Sequence, residues 1–217
     1  MTMRGGFLIA MLLAAGPACA AQRPAAPRLG DEEIRADLKD GEEIESRVDG
    51  DLNGDGNIDT AYIVRSDDLR TLNVRFAARG VDPDHRLAGR VELDPYPMGA
   101  AELSVVKGVL VVKDLTGGTT ATMATYRYRG EKGQPRMKLI GLDVTVYSRT
   151  FSHDGSEMSW NLLTGDVTAT KLKLTGADDG TAYDKRESLR FKRLVRTYYM
   201  EETPDIGEAL WMAMEGK

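Results

Sequence analysis

Residues 71–77 read TLNVRFA. Leu72, Val74 and Phe76 alternate with Thr71, Asn73 and Arg75, the period of two that marks a strand with one face on a core and one in water. The same alternation returns at 142–148, LDVTVYS, with Leu142, Val144 and Val146 set against Asp143, Thr145 and Tyr147. Between such runs stand turn residues: Lys107-Gly108 in LSVVKGVLVV, Gly130 to Pro135 in YRYRGEKGQPRMKLI, His153-Asp154-Gly155, and Thr164-Gly165-Asp166 in WNLLTGDVTAT. Glycine, asparagine and aspartate supply the left-handed backbone that tight hairpins need, so each pair of runs reads as a hairpin. Hairpins in series make an antiparallel meander. The fold class is mainly β (α+β).

Helical spacing is confined to the two ends of this β region. DEEIRADLKDG at 31–41 predicts a short helix with Asp31 as N-cap, Glu32 and Glu33 in the first turn, Ile34 and Leu38 on one face, and Gly41 past its end. TPDIGEALWMAMEGK at 203–217 predicts a second, with Thr203 as cap, Pro204 at the first helical position and Asp205 complementing the dipole. Its stripe of Ile206, Ala209, Leu210, Ala213 and Met214 must be buried against the sheet, with Trp211 at the margin of that stripe.

The chain opens MTMRGGFLIAMLLAAGPACAAQ. Arg4, an apolar run from Phe7 to Ala15 and the small triplet Ala18-Cys19-Ala20 follow the order of a secretory signal peptide, so residues 1–20 are expected to leave the mature chain. The apolar run is shorter than the roughly 20 residues that span a bilayer, and no transmembrane segment is expected in the mature chain. Export would place the protein in the periplasm or outside the cell. A rival route makes Cys19 the lipid anchor of a lipoprotein; if Cys19 leaves with the leader, disulfides, cysteine-bound zinc and thiol catalysis leave with it. AQRPAAPRLG, residues 21–30, carries two prolines and reads as a flexible spacer. Residues 31–217 are then a single β-rich domain. With 29 basic and 34 acidic residues the net charge is −5, which argues against nucleic acid as a partner.

One stretch speaks directly to chemistry. DLNGDGNID, Asp51 to Asp59, places Asp51, Asn53, Asp55, Asn57 and Asp59 at every second position, with Gly54 and Gly56 between them. Calcium takes six to eight oxygens at about 2.3 to 2.6 Å, and alternate side chains on a curled loop can converge to supply them, while Asn57, at the seventh position, offers its backbone carbonyl. The bare alternative is a turn, since Asn-Gly and Asp-Gly pairs bend the chain without a metal. Turn formation does not explain Asp51 and Asp59, because three crowded carboxylates repel one another unless a cation offsets them. Tyr62 occupies the twelfth position, where an EF-hand needs a bidentate glutamate, and TAYIVRS reads as a strand, so an EF-hand is excluded. Three carboxylates without that glutamate predict a weak structural site, with Kd about 10⁻⁴ to 10⁻³ M.

On Asp51, Asn53, Gly54, Asp55, Gly56 and Asp59, followed by the strand of Ile63 and Val64, the loop resembles the calcium-binding signature of FG-GAP and VCBS-type repeats. Propellers of that kind carry about seven copies and this chain carries one, so the resemblance does not bring the propeller fold. Residues 42–175 also resemble a group of bacterial exported proteins of unknown function. Tyr126, Tyr128, Leu139, Ile140 and Gly141 match their first hairpin, and Asn161, Leu163, Thr164 and Gly165 match the later turn.

Other candidates carry less. His85 and His153 sit in VDPDHRLAG and FSHDGSEMS, read as loops without a nucleophile motif. DLTGGTTATMATYRY lacks the lysine of a phosphate loop and reads as a mobile loop before the strand of Tyr126 and Tyr128. DKRESLRFKRLVRTYY predicts a strand whose basic face, with Lys185, Arg186, Arg190, Lys192, Arg193 and Arg196, is either simply solvated or meets an acidic envelope polymer or protein partner. Two functions follow as expectations. One is a non-enzymatic binding or scaffold module of the cell envelope with a structural calcium loop; the other is a hydrolase of envelope material whose acids come from separate loops.

Overall fold

A computed structural model of the protein describes residues 26–78, 84–175 and 182–217. The expected signal peptide and Cys19 lie outside the described residues, as do residues 21–25 of the spacer. The described chain is mainly β. It begins with a helix, α1 (Asp31–Ala36), and continues through β1 (Glu43–Gly50), β2 (Asp59–Arg65), β3 (Arg70–Ala78) and β4 (Asp84–Leu93). These four strands form one antiparallel sheet in sequence order. A second antiparallel sheet holds β5 (Glu102–Val106), β6 (Val109–Gly117), β7 (Thr120–Arg129), β8 (Lys138–Ser148), β9 (Gly155–Asn161), β10 (Asp166–Leu174) and β11 (Tyr183–Lys192), again as a meander. A two-residue strand, β12 (Tyr198–Tyr199), pairs with the start of β8. A 3-10 turn at Met200–Glu202 and α2 (Ile206–Met214) close the chain.

The hairpins turn where the sequence places them. Lys107 and Gly108 both take positive φ, 52° and 75°, as a two-residue turn matched to strand twist requires, and Gly165 does the same at 77° between β9 and β10. The glycine-threonine stretch differs from expectation. β6 runs to Gly117 and β7 starts at Thr120, with Gly117 opposite Ala121, so this is a tight hairpin and not a mobile loop. Gly117 permits it at φ 93°, a conformation that a side chain strains.

The two sheets share one core. Ile63, Leu72 and Val74 of the first meet Leu110, Tyr128, Leu142, Val144 and Met158 of the second. The face of β3 expected to be wet is covered as well. Thr71 and Asn73 are buried, because a smaller apolar cluster of Leu29, Ile34 and Tyr62, with Leu38, Ile44 and Val64 against it, covers the far face of the first sheet. Residues 26–30 therefore lie along the sheet instead of forming a free spacer. Leu29 is buried, and Arg28 pairs with Asp49. On β8, by contrast, the expected alternation holds, with Leu142 and Val144 buried and Asp143 and Thr145 part-exposed.

Both helix caps shift. Gly30, not Asp31, is the N-cap of α1, and its N–H is held by Glu33 Oε2 at 2.6 Å. Asp205, not Thr203, caps α2, accepting from the Glu208 N–H at 2.8 Å. Thr203 instead closes the 3-10 turn by donating to the Met200 carbonyl, and it also meets the Tyr128 hydroxyl. The α2 stripe is buried as expected at Ala209, Leu210 and Ala213, against β9 and β10. Trp211 is exposed. Met200 anchors the C-terminal segment on the first sheet: a Cβ at Gly89 would stand 2.5 Å from Met200 Sδ and 3.0 Å from its Cβ, so only glycine fits there.

Candidate metal loop and charged clefts

Asp51 to Asp59 links β1 to β2, and its own side chains shape it. Asp51 Oδ1 accepts from the N–H groups of Gly54 (2.7 Å) and Asp55 (3.2 Å), and Oδ2 accepts from Gly56 (2.9 Å). Asn53 Oδ1 takes the Asp55 N–H and Asp55 Oδ1 takes that of Asn57. Such local side-chain bonds offer the backbone an alternative to a ladder. Gly54 and Gly56 complete the curl at φ 77° and 85°.

Asp59 is different in kind. It is fully buried, and its two oxygens accept one N–H each, from Leu52 at 2.8 Å and from Ala77 of β3 at 2.9 Å. Burial pushes its pKa up to about 6; the two backbone bonds oppose that rise, and the negative charges of Asp55 and Asp51 add to it. None of Asp51, Asp55 and Asp59 makes an ion pair with a described residue. The loop is also tied to the second sheet, where the Gly130 N–H donates to the Leu52 carbonyl at 2.9 Å. A Cβ at Gly130 would meet Phe76 Cζ at 2.6 Å and the Leu52 carbonyl oxygen at 2.9 Å, so the β7–β8 turn is packed against both β3 and the backbone leading into the rest of the loop.

The donor set is oxygen throughout, which suits a hard cation such as calcium. Among the described residues no three acidic, histidine or cysteine side chains converge on one metal position. Asp51, Asp55, the Asn53 side chain and the Asn57 backbone carbonyl would hold the ion, with Asp59 serving the backbone beneath them; the Asn57 Oδ1 is turned to the Ala26 N–H at 3.4 Å.

The strongest electrostatic cluster is one that the pattern of the sequence conceals. Arg70 opens β3 with no exposed surface. It donates to Glu45 of β1 through Nε and Nη2 (both 2.8 Å), to Asp114 of β6 through Nη1 and Nη2 (3.1 and 3.0 Å), and to the Asp94 carbonyl (2.7 Å). All five guanidinium N–H groups are engaged. Burial tends to lift the Glu45 pKa, but the bonds from Arg70 and from the Ala101 N–H outweigh it and hold this carboxyl below its ordinary range. The cluster rivets the two sheets together. Its signal was phase: Arg70 shares parity with Leu72 and Val74, and Asp114 with Leu110 and Val112, so both charges stand at core positions of their strands.

Beside Asp114 opens a cleft of about 510 Å³ between the sheets and the start of α2. Glu92, Asp94, Asp114 and Asp205 line it, together with Thr116 and Tyr126. Each aspartate is already held: Asp114 by Arg70, Asp205 by the Glu208 N–H, and Asp94 by the Tyr96 N–H at 2.8 Å.

The basic residues divide. On edge strand β11, Lys185 pairs with Glu157, Arg186 with Asp184 and Lys192 with Asp166, all at exposed positions beside Arg190. Arg193 and Arg196 lie beyond the strand. Arg193 stacks over Trp160 at 4.6 Å and donates to the Lys217 and Ala209 carbonyls, and Arg196 stacks over Tyr198 at 4.0 Å. These two pin the C-terminal segment to the sheet. His85 lies on β4 and not in a loop, its strand position opposite Ala77. His153 is in a loop, with Nε2 at 2.8 Å from Thr120 Oγ1 and Nδ1 against the Asp154 carbonyl. The Asp154 carboxylate is turned to Lys173 and the Leu174 N–H, so it does not orient the imidazole.

Comparison with protein-family models, with characterised proteins and with solved structures returns no match. Among the described residues no helix is long and apolar enough to cross a membrane.

Proposed function

We propose that the protein is an exported binding or scaffold module of the cell envelope, periplasmic or secreted, in which one calcium ion locks the loop from Asp51 to Asp59. The observation that carries the calcium reading is the charge of that loop: Asp51 and Asp55 stand over a buried Asp59, and none of the three is neutralised by a described cation. A hard cation offsets that repulsion and stiffens the junction where the loop touches β3 and the β7–β8 turn. The resemblance to the FG-GAP and VCBS-type loop supports the same reading, and the leader-like N-terminus supports export. Lys185, Arg186, Arg190 and Lys192 on edge strand β11 offer the surface an acidic envelope polymer or protein would meet, and Arg193 and Arg196 stabilise the segment behind it.

The hydrolase reading draws on the acidic cleft beside Asp114, yet the bonds already made there suit fixed negative charges better than a proton donor and a base. Thermal unfolding with 10 mM calcium, with magnesium and with chelator tests the calcium lock. At Kd of about 10⁻⁴ to 10⁻³ M, calcium adds about 1.4 to 2.7 kcal/mol, or about 3 to 10 °C in midpoint. Asp55→Ala should abolish that rise. No calcium effect on the unmodified protein would make the loop a turn and nothing more.

A further inference from the structure

We propose that the cleft beside Asp114 binds an extended aliphatic polyammonium group. The inference is independent of the calcium loop and uses none of its residues.

The charge of the cleft is one-sided. Glu92, Asp94, Asp114 and Asp205 line it, and no lysine, arginine or histidine does among the described residues. Arg70 reaches Asp114 from behind, but it is shared with Glu45, so that buried trio keeps one net negative charge.

A second observation points to a ligand. Tyr126 is 7% exposed and Thr116 is 4% exposed, both line the cleft, and neither side-chain hydroxyl has a hydrogen-bond partner among the described residues. Neither oxygen is itself fully buried, so each is open to a donor or acceptor entering the cleft that its side chain lines. Burial, and then the charges of Asp114, Asp205 and Asp94, raise the Tyr126 pKa, so its hydroxyl stays neutral and can accept from an ammonium N–H.

Geometry selects the class of cation. No three carboxylates converge on one metal position, so a single point charge cannot serve them all. Val91, Leu93, Pro204 and Ile206 supply apolar wall between the acids. Alkyl segments match that wall, and ammonium groups spaced along them match the separated carboxylates. Free polyamines and the lysine side chains of a partner share this chemistry.

The test is calorimetric titration of the protein with spermidine at 150 mM salt, with trilysine and butylamine as further probes. Asp94→Asn with Asp205→Asn removes two charges while keeping both carbonyl acceptors, and Tyr126→Phe removes only the hydroxyl; circular dichroism and thermal midpoint verify that each variant is folded. Spermidine should bind saturably, with butylamine at least about tenfold weaker. The double variant and Tyr126→Phe should each lose about tenfold, and Glu187→Gln on β11 should lose nothing. Tighter binding of trilysine than of spermidine would assign the cleft to a basic segment of a partner, and the reverse order to a free polyamine. The proposal is overturned by absence of saturable heat, by equal affinity in the unmodified protein and the double variant, or by calcium displacing spermidine at equal concentration.

Discussion

Replacing Arg70 by methionine removes the one cation that neutralises Glu45 and Asp114. The substitution keeps volume and an apolar stem but leaves two carboxylates, 1% and 3% exposed at the side chain, without their partner. Four charge-assisted bonds disappear, and a fifth to the Asp94 carbonyl goes with them. Breaking a buried pair from one side costs about 3 to 5 kcal/mol, chiefly because the remaining charge stays buried. In a chain of this size that lowers the thermal midpoint by about 6 to 20 °C. The pH dependence gives the sharper test. Glu45 has a folded pKa below its unfolded value, so its contribution is present above the unfolded value and is lost as pH falls through the folded one. In Arg70→Met the Glu45 carboxyl loses the bonds that hold its pKa down, and the deficit measured at pH 7 should shrink toward pH 4 as it takes up a proton. Urea denaturation at both pH values, with Arg70→Met, Glu45→Gln and Asp114→Asn combined as the comparison, separates charge from shape. The combined variant should recover most of the loss. A cost at pH 7 below about 1 kcal/mol, or an equal cost at pH 4, would refute the reasoning that two uncompensated charges cause the damage.

Three further outcomes follow from other contacts. Asp59, with its pKa pushed up to about 6, favours folding in its protonated form; stability should decline by about 2 to 3 kcal/mol as pH rises from about 4 to 6 and then level off. Millimolar calcium should flatten that slope, which two denaturation series would reveal. Gly89→Ala drives a methyl into Met200 and should cost about 1 to 3 kcal/mol; Met200→Ala in the same chain removes the closest contact, at Sδ, but keeps the Cβ at 3.0 Å, so it should reduce the cost of the glycine substitution without abolishing it, and additive losses in the double-mutant cycle would contradict the Sδ contact. Asp205→Ala should cost about 1 kcal/mol through the lost cap of α2, with Asp205→Asn close to neutral; a full-sized loss in the asparagine variant would point to the charge instead of the cap.

Much of the fold was legible because its causes are local. A turn such as Lys107-Gly108 needs two left-handed residues side by side, and the α2 stripe needs apolar residues at helical spacing; both conditions are met within a few positions of the chain. Parity along a strand likewise says which residues share a face. It does not say what covers the other face: Thr71 and Asn73 were expected in water because nothing in TLNVRFA announces Leu29, Ile34 and Tyr62 on the far side. Caps shifted for the same reason, since Thr203 and Asp205 can both cap and only the path of the 3-10 turn from Met200 decides between them.

The sequence by itself determined the β class, the hairpin turns, the two terminal helices and the acidic loop, each written in residues within reach of one another. Only the tertiary structure decided that the strands divide into two sheets, that Arg70 is buried between Glu45 and Asp114, that Asp59 serves the backbone, and that Tyr126 and the acids around it share a cleft. Those features join residues as many as 113 positions apart, Glu92 and Asp205, and no local period encodes such a meeting; it follows from the summed burial of both sheets on one core.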